Sequence, residues 1–184
     1  MYCCRQARPQ NQRQSQNKIR TMRILLDTNI LLNDFFHRHP DFGFQRISDP
    51  GQRAEIESYR TKVHECLDRL SVEESAEVWT STPILARFGA LLGDLLVPAD
   101  LVLEELRYWH SNLKLVEVQA RHLEECLLEM ENAEPKMDFD DYLLRRLANE
   151  HKLDLILSSV PKSREFFWPV LFFKPENIGQ VNFG

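Results

Sequence analysis

The sequence predicts an α/β fold, three α/β/α layers around a mainly parallel central sheet. Two observations carry that expectation. The run Ile24-Leu25-Leu26 is apolar at every residue, which suits a central strand covered on both faces rather than one wetted at alternate positions. Short apolar runs then alternate along the chain with longer segments of helical period, and such alternation calls for parallel strands joined by helical crossovers.

Residues 1–21 are rich in Gln, Asn, Arg and Pro and show no apolar periodicity. They are expected to form a disordered basic tail whose removal leaves the melting temperature unchanged, with Met22 as an alternative start of translation. The domain is expected over 22–184. Met22 to Leu32 reads as its opening strand, with Asp27 at the C-terminal end of the apolar run. Beyond a polar stretch with Pro40, Asp49 and Pro50, the residues Ile56, Tyr59, Val63, Leu67 and Leu70 recur at three and four, which predicts a helix over 52–70.

Glu77-Val78-Trp79-Thr80 is the second expected strand. Pro83 opens a helix to Leu92, and Pro98 opens another with Val102, Leu106, Trp109 and Leu113 on its apolar side. Leu113 to Val118 is the third strand. A helix over 119–131 is expected to turn Leu123, Leu127 and Met130 inward, and one over 139–151 to do the same with Leu144, Leu147 and Ala148. Leu153 to Leu157 and Pro169 to Phe173 supply the last two strands.

A chain of 184 residues with 43% hydrophobic content suffices for one domain with a sizeable core. No apolar run reaches the eighteen or so residues of a membrane span, and the N-terminus lacks a secretory signal, so a cytoplasmic protein that does not enter a membrane is expected. Cys66 and Cys126 fall in helical apolar patterns and suit structural use, while Cys3 and Cys4 show no zinc-site spacing. The net charge of −5 conceals an asymmetry: residues 1–21 carry five bases and no acid, leaving 18 bases against 28 acids beyond, a balance of −10. An acidic body repels phosphate backbones, so any RNA contact needs a local basic patch or a bound cation. Walker and Gly-x-Gly-x-x-Gly loops are absent.

In a parallel sheet, ligands bind at the C-terminal ends of strands. Asp27-Thr28-Asn29 stands at such an end, where a carboxylate can hold a divalent cation while the neighbouring hydroxyl and amide orient it. The same residues suit an Asx turn or helix N-cap equally. Asp138 and Asp141 lie three apart at a helix start, on one side, and could face a common ion or complete an acidic capping arrangement. The histidines, among them His37, His39, His64 and His122, follow no ligand spacing and suit surface or helix-end roles. Phe166, Phe167 and Trp168 suit core filling or base stacking.

Met22 to Asn33 resembles the opening of PIN domains. Met137-Asp138-Phe139-Asp140-Asp141-Tyr142-Leu143 through Ile156-Leu157-Ser158 is similar to the family's late helix and strand, and Lys174-Pro175-Glu176-Asn177-Ile178 to its usual ending. The likeness spans 22–178 and is strongest toward VapC-type toxins. It implies a metal-dependent endoribonuclease that uses Mg2+ or Mn2+, with Asp27 and Asp141 as catalytic metal ligands and Asn29, Asp138 and Ser158 in support. It also implies an RNA substrate, a cognate antitoxin protein and a homodimer.

The chain departs from the family twice. Residues 81–92 hold no Asp or Glu where an acid is usual, Arg87 standing near its place, and Val160 occupies the last acidic position. Glu105, on the following helix, is a tentative replacement or else part of a solvated face. These departures leave two alternatives to a full nuclease: a weakened site, or a catalytically degenerate PIN-like module that binds a partner protein or RNA without cutting. A receiver-like signalling domain is a third, which lacks the expected phospho-acceptor strand.

Overall fold

The computed structural model describes residues 21–43, 49–132, 138–158 and 171–180. The basic tail with Cys3 and Cys4, Met137, Val160 and the run Phe166 to Trp168 lie outside them. Five parallel strands, β1 (Met22–Leu26), β2 (Ala76–Ser81), β3 (Lys114–Val116), β4 (Leu155–Leu157) and β5 (Leu171–Phe173), form one sheet in the order β3-β2-β1-β4-β5. As the apolar run requires, β1 is central, and Ile24, Leu25 and Leu26 are fully buried. Its two neighbours are β2 and β4, with Leu26 opposite Leu157.

Among the described residues, seven α-helices surround the sheet: α1 (Thr28–Arg38), α2 (Pro40–Gly43), α3 (Pro50–Val72), α4 (Thr82–Asp94), α5 (Ala99–Asn112), α6 (Ala120–Asn132) and α7 (Phe139–Glu150). A 3-10 segment spans Pro175–Gln180. The expected opening strand is corrected here. It ends at Leu26, and α1 begins at Thr28, because Ile30, Leu31 and Phe35 recur at helical spacing and are buried together with the strand. Pro83 opens α4 as expected, and two caps not read from the sequence start α3 and α4. Pro50 stands in the first turn of α3 while Asp49 Oδ1 accepts from the Gln52 amide at 2.8 Å, and Ser81 Oγ accepts from the Ile84 amide at 3.5 Å above Pro83.

α1 packs on α3 and α4, α4 on α5, and α6 on α7. One buried cluster joins α1, α3, α4 and α5 to the sheet, and a second gathers Val116, Cys126, Tyr142, Leu143 and Leu147 around α6 and α7. The expected facing of α6 is also corrected. Leu123 and Leu127 are 40% and 54% exposed, and the residues turned inward are His122 and Cys126. His122 Nδ1 accepts from the Gln119 amide and its Nε2 lies 2.8 Å from Glu150 Oε2, which ties that side to α7. The apolar positions of α6 leave a choice of face, and the buried polar partner settles it. Both described cysteines are buried and free, and burial pushes the Cys66 thiol up to about 12, which keeps it protonated and structural. No helix among the described residues is long and apolar enough to cross a membrane.

Candidate active site

The chain leaves β1 toward β2 on one side and returns through β4 on the other, so the sheet changes direction between β1 and β4. Crevices at such a point, beyond the carboxyl ends of the strands, are where open α/β sheets bind ligands. Asp27 follows β1 there and Ser158 follows β4, and the Asp27 amide donates to the Leu157 carbonyl at 3.0 Å.

Asp27 occupies the N-cap position of α1, yet its side chain makes no capping hydrogen bond. Instead Asp27 Oδ2 accepts from Ser158 Oγ at 2.6 Å and from Asn29 Nδ2 at 3.4 Å. Both bonds fall on one oxygen; Oδ1 accepts no hydrogen bond among the described residues. The carboxylate is 8% exposed and lines a cavity of about 80 Å³ with Thr28, Ser81, Ile84, Arg87 and Asp140. The starts of α1, α4 and α7 all reach this cavity, so three sets of helix N-terminal amides favour negative charge there.

Asp141 is buried in the first turn of α7, beside β4 in the chain, and its amide donates to the Asp138 carbonyl at 3.0 Å. From this motif the residue that lines the cavity is Asp140, one position earlier. Asp138 stands at the N-cap of α7 without a side-chain capping bond, which corrects the capping role expected of it. Asp140 pairs with Arg87, which follows Pro83 and Ile84 on the cavity face of α4. The sequence drew attention to Arg87 as a missing acid; its pairing across the cleft was not foreseen, and neither was the place of Asp140.

Glu105 is elsewhere. It is 3% exposed rather than part of a solvated face, and its oxygens accept from Arg38 Nη1 and Nη2 at 2.6 Å each, with His39 Nε2 at 3.2 Å. Arg38 reaches Asp34 as well, and Asp34 holds His64 at 2.8 Å. His39 stands at the C-cap of α1, the helix-end place expected of it, and both it and His64 are spent on carboxylates, whereas His122, in the first turn of α6, is buried against Glu150 rather than on the surface. Among the described residues no group of three or more His, Cys, Asp or Glu is placed to hold a metal ion.

No protein-family model matches the sequence, and no curated protein matches it at a significant level. Solved structures do. VapBC2 from Rickettsia felis, bound to a DNA fragment from its promoter, superposes with a TM-score of 0.57 at 15% identity, over 83% of this chain and 98% of that one. VapC20 of Mycobacterium tuberculosis, a toxin that cleaves the sarcin-ricin loop, gives 0.50 at 13% identity over 78% and 92%. The chain has the fold of a VapC-type PIN domain. Within this fold, Asp27 follows β1 and Ser158 follows β4.

Proposed function

We propose that this chain is a metal-dependent endoribonuclease of the PIN and VapC-toxin type, working with a reduced acidic site, and that a cognate antitoxin protein restrains it. One observation carries the reading. A carboxylate buried at the switch point of the sheet, whose one oxygen takes neutral hydrogen-bond partners while the other has none among the described residues, suits a cation ligand, because a buried charge needs a counter-charge.

The residues fit one ion rather than a densely liganded pair. Asp27 would hold it, with Asp141, which is buried in the first turn of α7 and does not line the cavity, as the second proposed ligand, and water would complete the shell, as is ordinary for Mg2+. Such an ion neutralises charge on the attacked phosphodiester and raises the reactivity of water. Ser158 and Asn29 fix the Asp27 carboxylate through Oδ2, so that Oδ1 keeps one direction. In hydrolysis the water oxygen forms the new P–O bond, and the leaving sugar oxygen keeps the electron pair of the broken bond and takes a proton. With few acids, ion binding is weak, and Mn2+ serves better than Mg2+.

The second reading, a module that binds without cutting, draws on the Arg87–Asp140 pair, which puts a positive charge into the cleft and engages one of its carboxylates. RNA cleavage separates the two. Purified protein with Mn2+ should cut single-stranded RNA, excess chelator should stop it, and Asp27→Asn should lower the rate by a factor of about 100 or more, on the scale of losing an electrostatic catalytic contact. Equal cutting in chelator, or full Mn2+-dependent cutting by Asp27→Asn, overturns the nuclease reading; no cutting at any metal concentration favours the binding module.

A further inference from the structure

We infer that Arg87 is the phosphate anchor of this cleft and that Asp140 holds it in reserve, so that an RNA phosphodiester enters by displacing the Asp140 carboxylate from the guanidinium. The inference rests on the reading that the cleft receives RNA, and it assigns a residue that the family pattern gives to an acid.

Arg87 is not a surface arginine that happens to lie near the site. It follows Pro83 and Ile84 by one helical turn, and all three line the cavity that holds Asp27. Its partner Asp140 lines the same cavity from α7, so the pair spans the cleft between two helices. Both side chains keep solvent access, 57% for Arg87 and 44% for Asp140, and ion pairs so exposed are held weakly. A phosphodiester offers the guanidinium the same paired oxygens that a carboxylate does, in the geometry its planar fork matches bidentately. Asp140 does not need Arg87 to stay in place, since it sits in the first turn of α7, where the helix dipole favours a negative charge.

The exchange also answers a charge problem. The body of the chain is acidic, and a cleft holding Asp27 and Asp140 repels RNA unless a cation stands inside it. Where an acid would add to a metal cluster and to that repulsion, arginine divides the work: Asp27 is left for the ion and Arg87 for the phosphate. Asp140 keeps the guanidinium aligned across the empty cleft, and substrate releases it.

The test is binding of a short fluorescent single-stranded RNA to the full chain in excess chelator, followed by anisotropy across a salt series. Arg87→Gln should weaken binding about tenfold, the size of one lost charge-assisted contact, and should reduce the salt slope by about one. Arg87→Lys should retain part of the affinity, because it keeps the charge and loses the fork. Asp140→Asn should tighten binding several-fold by removing the competitor; if it melts early, Asp140→Gln, a better helix former inside the first turn of α7, serves instead. Wild-type affinity in Arg87→Gln, weaker binding in both Asp140 variants, or no RNA binding by the wild type overturns the anchor. The two readings fail separately. This binding pattern without Mn2+-dependent cleavage leaves the anchor standing and removes the nuclease, whereas metal-dependent cleavage with an indifferent Arg87 does the reverse.

Discussion

At Glu105 a carboxylate that borders an apolar stripe is drawn into the interior by a partner 67 residues away. Burial opposes the charge on Arg38, but the hydrogen bonds and charges of Glu105 and Asp34 outweigh it and raise the guanidinium pKa further. Arg38 is thus a fixed cation throughout the accessible pH range, and Glu105 is its neutralising partner rather than a member of the Asp27 cleft. Removing one charge of such a pair strands the other, at a cost of about 3 kcal/mol. Glu105→Gln is therefore expected to lower the melting temperature by roughly 6–12 °C, at 2–4 °C per kcal/mol for a chain of this size. Its Mn2+ affinity should equal that of the wild type. Thermal melts and calorimetry on the one variant check both halves, and unchanged stability with lost metal affinity would return Glu105 to the active site. The place of Asp27, by contrast, was legible because its signals are local, an apolar strand, its end and the Thr-Asn that follows, whereas its partner Ser158 comes from 131 residues away.

Among the elements, the helix starts were readable and two of the helix ends carry strain. α4 and α7 both close on a non-glycine residue in the left-handed region, Leu96 at φ 59° and Lys152 at φ 52°. Behind Leu96 the Val97 amide donates to the Leu92 carbonyl at 3.1 Å and the Leu96 amide to Gly93 at 2.9 Å, the paired bonds that cap a helix with a left-handed residue. Val97 and Leu92 are buried, so the chain reversal is held by packing, whereas the Leu96 side chain is 84% exposed and contributes little. A left-handed non-glycine residue costs about 1–2 kcal/mol, and glycine adds roughly 0.5–1 kcal/mol of unfolded-state entropy. Leu96→Gly should consequently stabilise the domain by about 0.5–1 kcal/mol, seen as a higher denaturant midpoint at unchanged slope. A lower midpoint would mean that Leu96 packs against something. The face of α6 shows the opposite limit of sequence reading. Apolar residues at 123, 127 and 130 favoured one stripe; Met130 does pack against the second cluster, but Leu123 and Leu127 stay exposed and a buried histidine bonded to a glutamate on α7 takes the inner face. Periodicity counts apolar residues and is blind to a polar pair that forms only when two helices meet.

For the whole molecule, the alternation of strands and helices carried the three-layer architecture, and the strand order then places the Asp27 cleft. With β1 between β2 and β4, the loops after β1 and β4 converge, and Asp27 meets Ser158 across 131 residues. That convergence follows from topology, which one sequence reveals only through family resemblance; the Arg87–Asp140 pair follows from neither and had to be seen. On the proposed reading, an acidic chain would receive a phosphodiester through the helix N-termini that open on this cleft and one guanidinium rather than through overall charge. The central proposal is that Asp27 Oδ1, which accepts no hydrogen bond among the described residues, holds a divalent cation. Calorimetric titration of Mn2+ into the metal-free chain tests this most directly. The expected result is one weak site per chain that vanishes in Asp27→Asn, with both proteins folded to the same melting temperature before metal is added. An isotherm for Asp27→Asn indistinguishable from that of the wild type would contradict it.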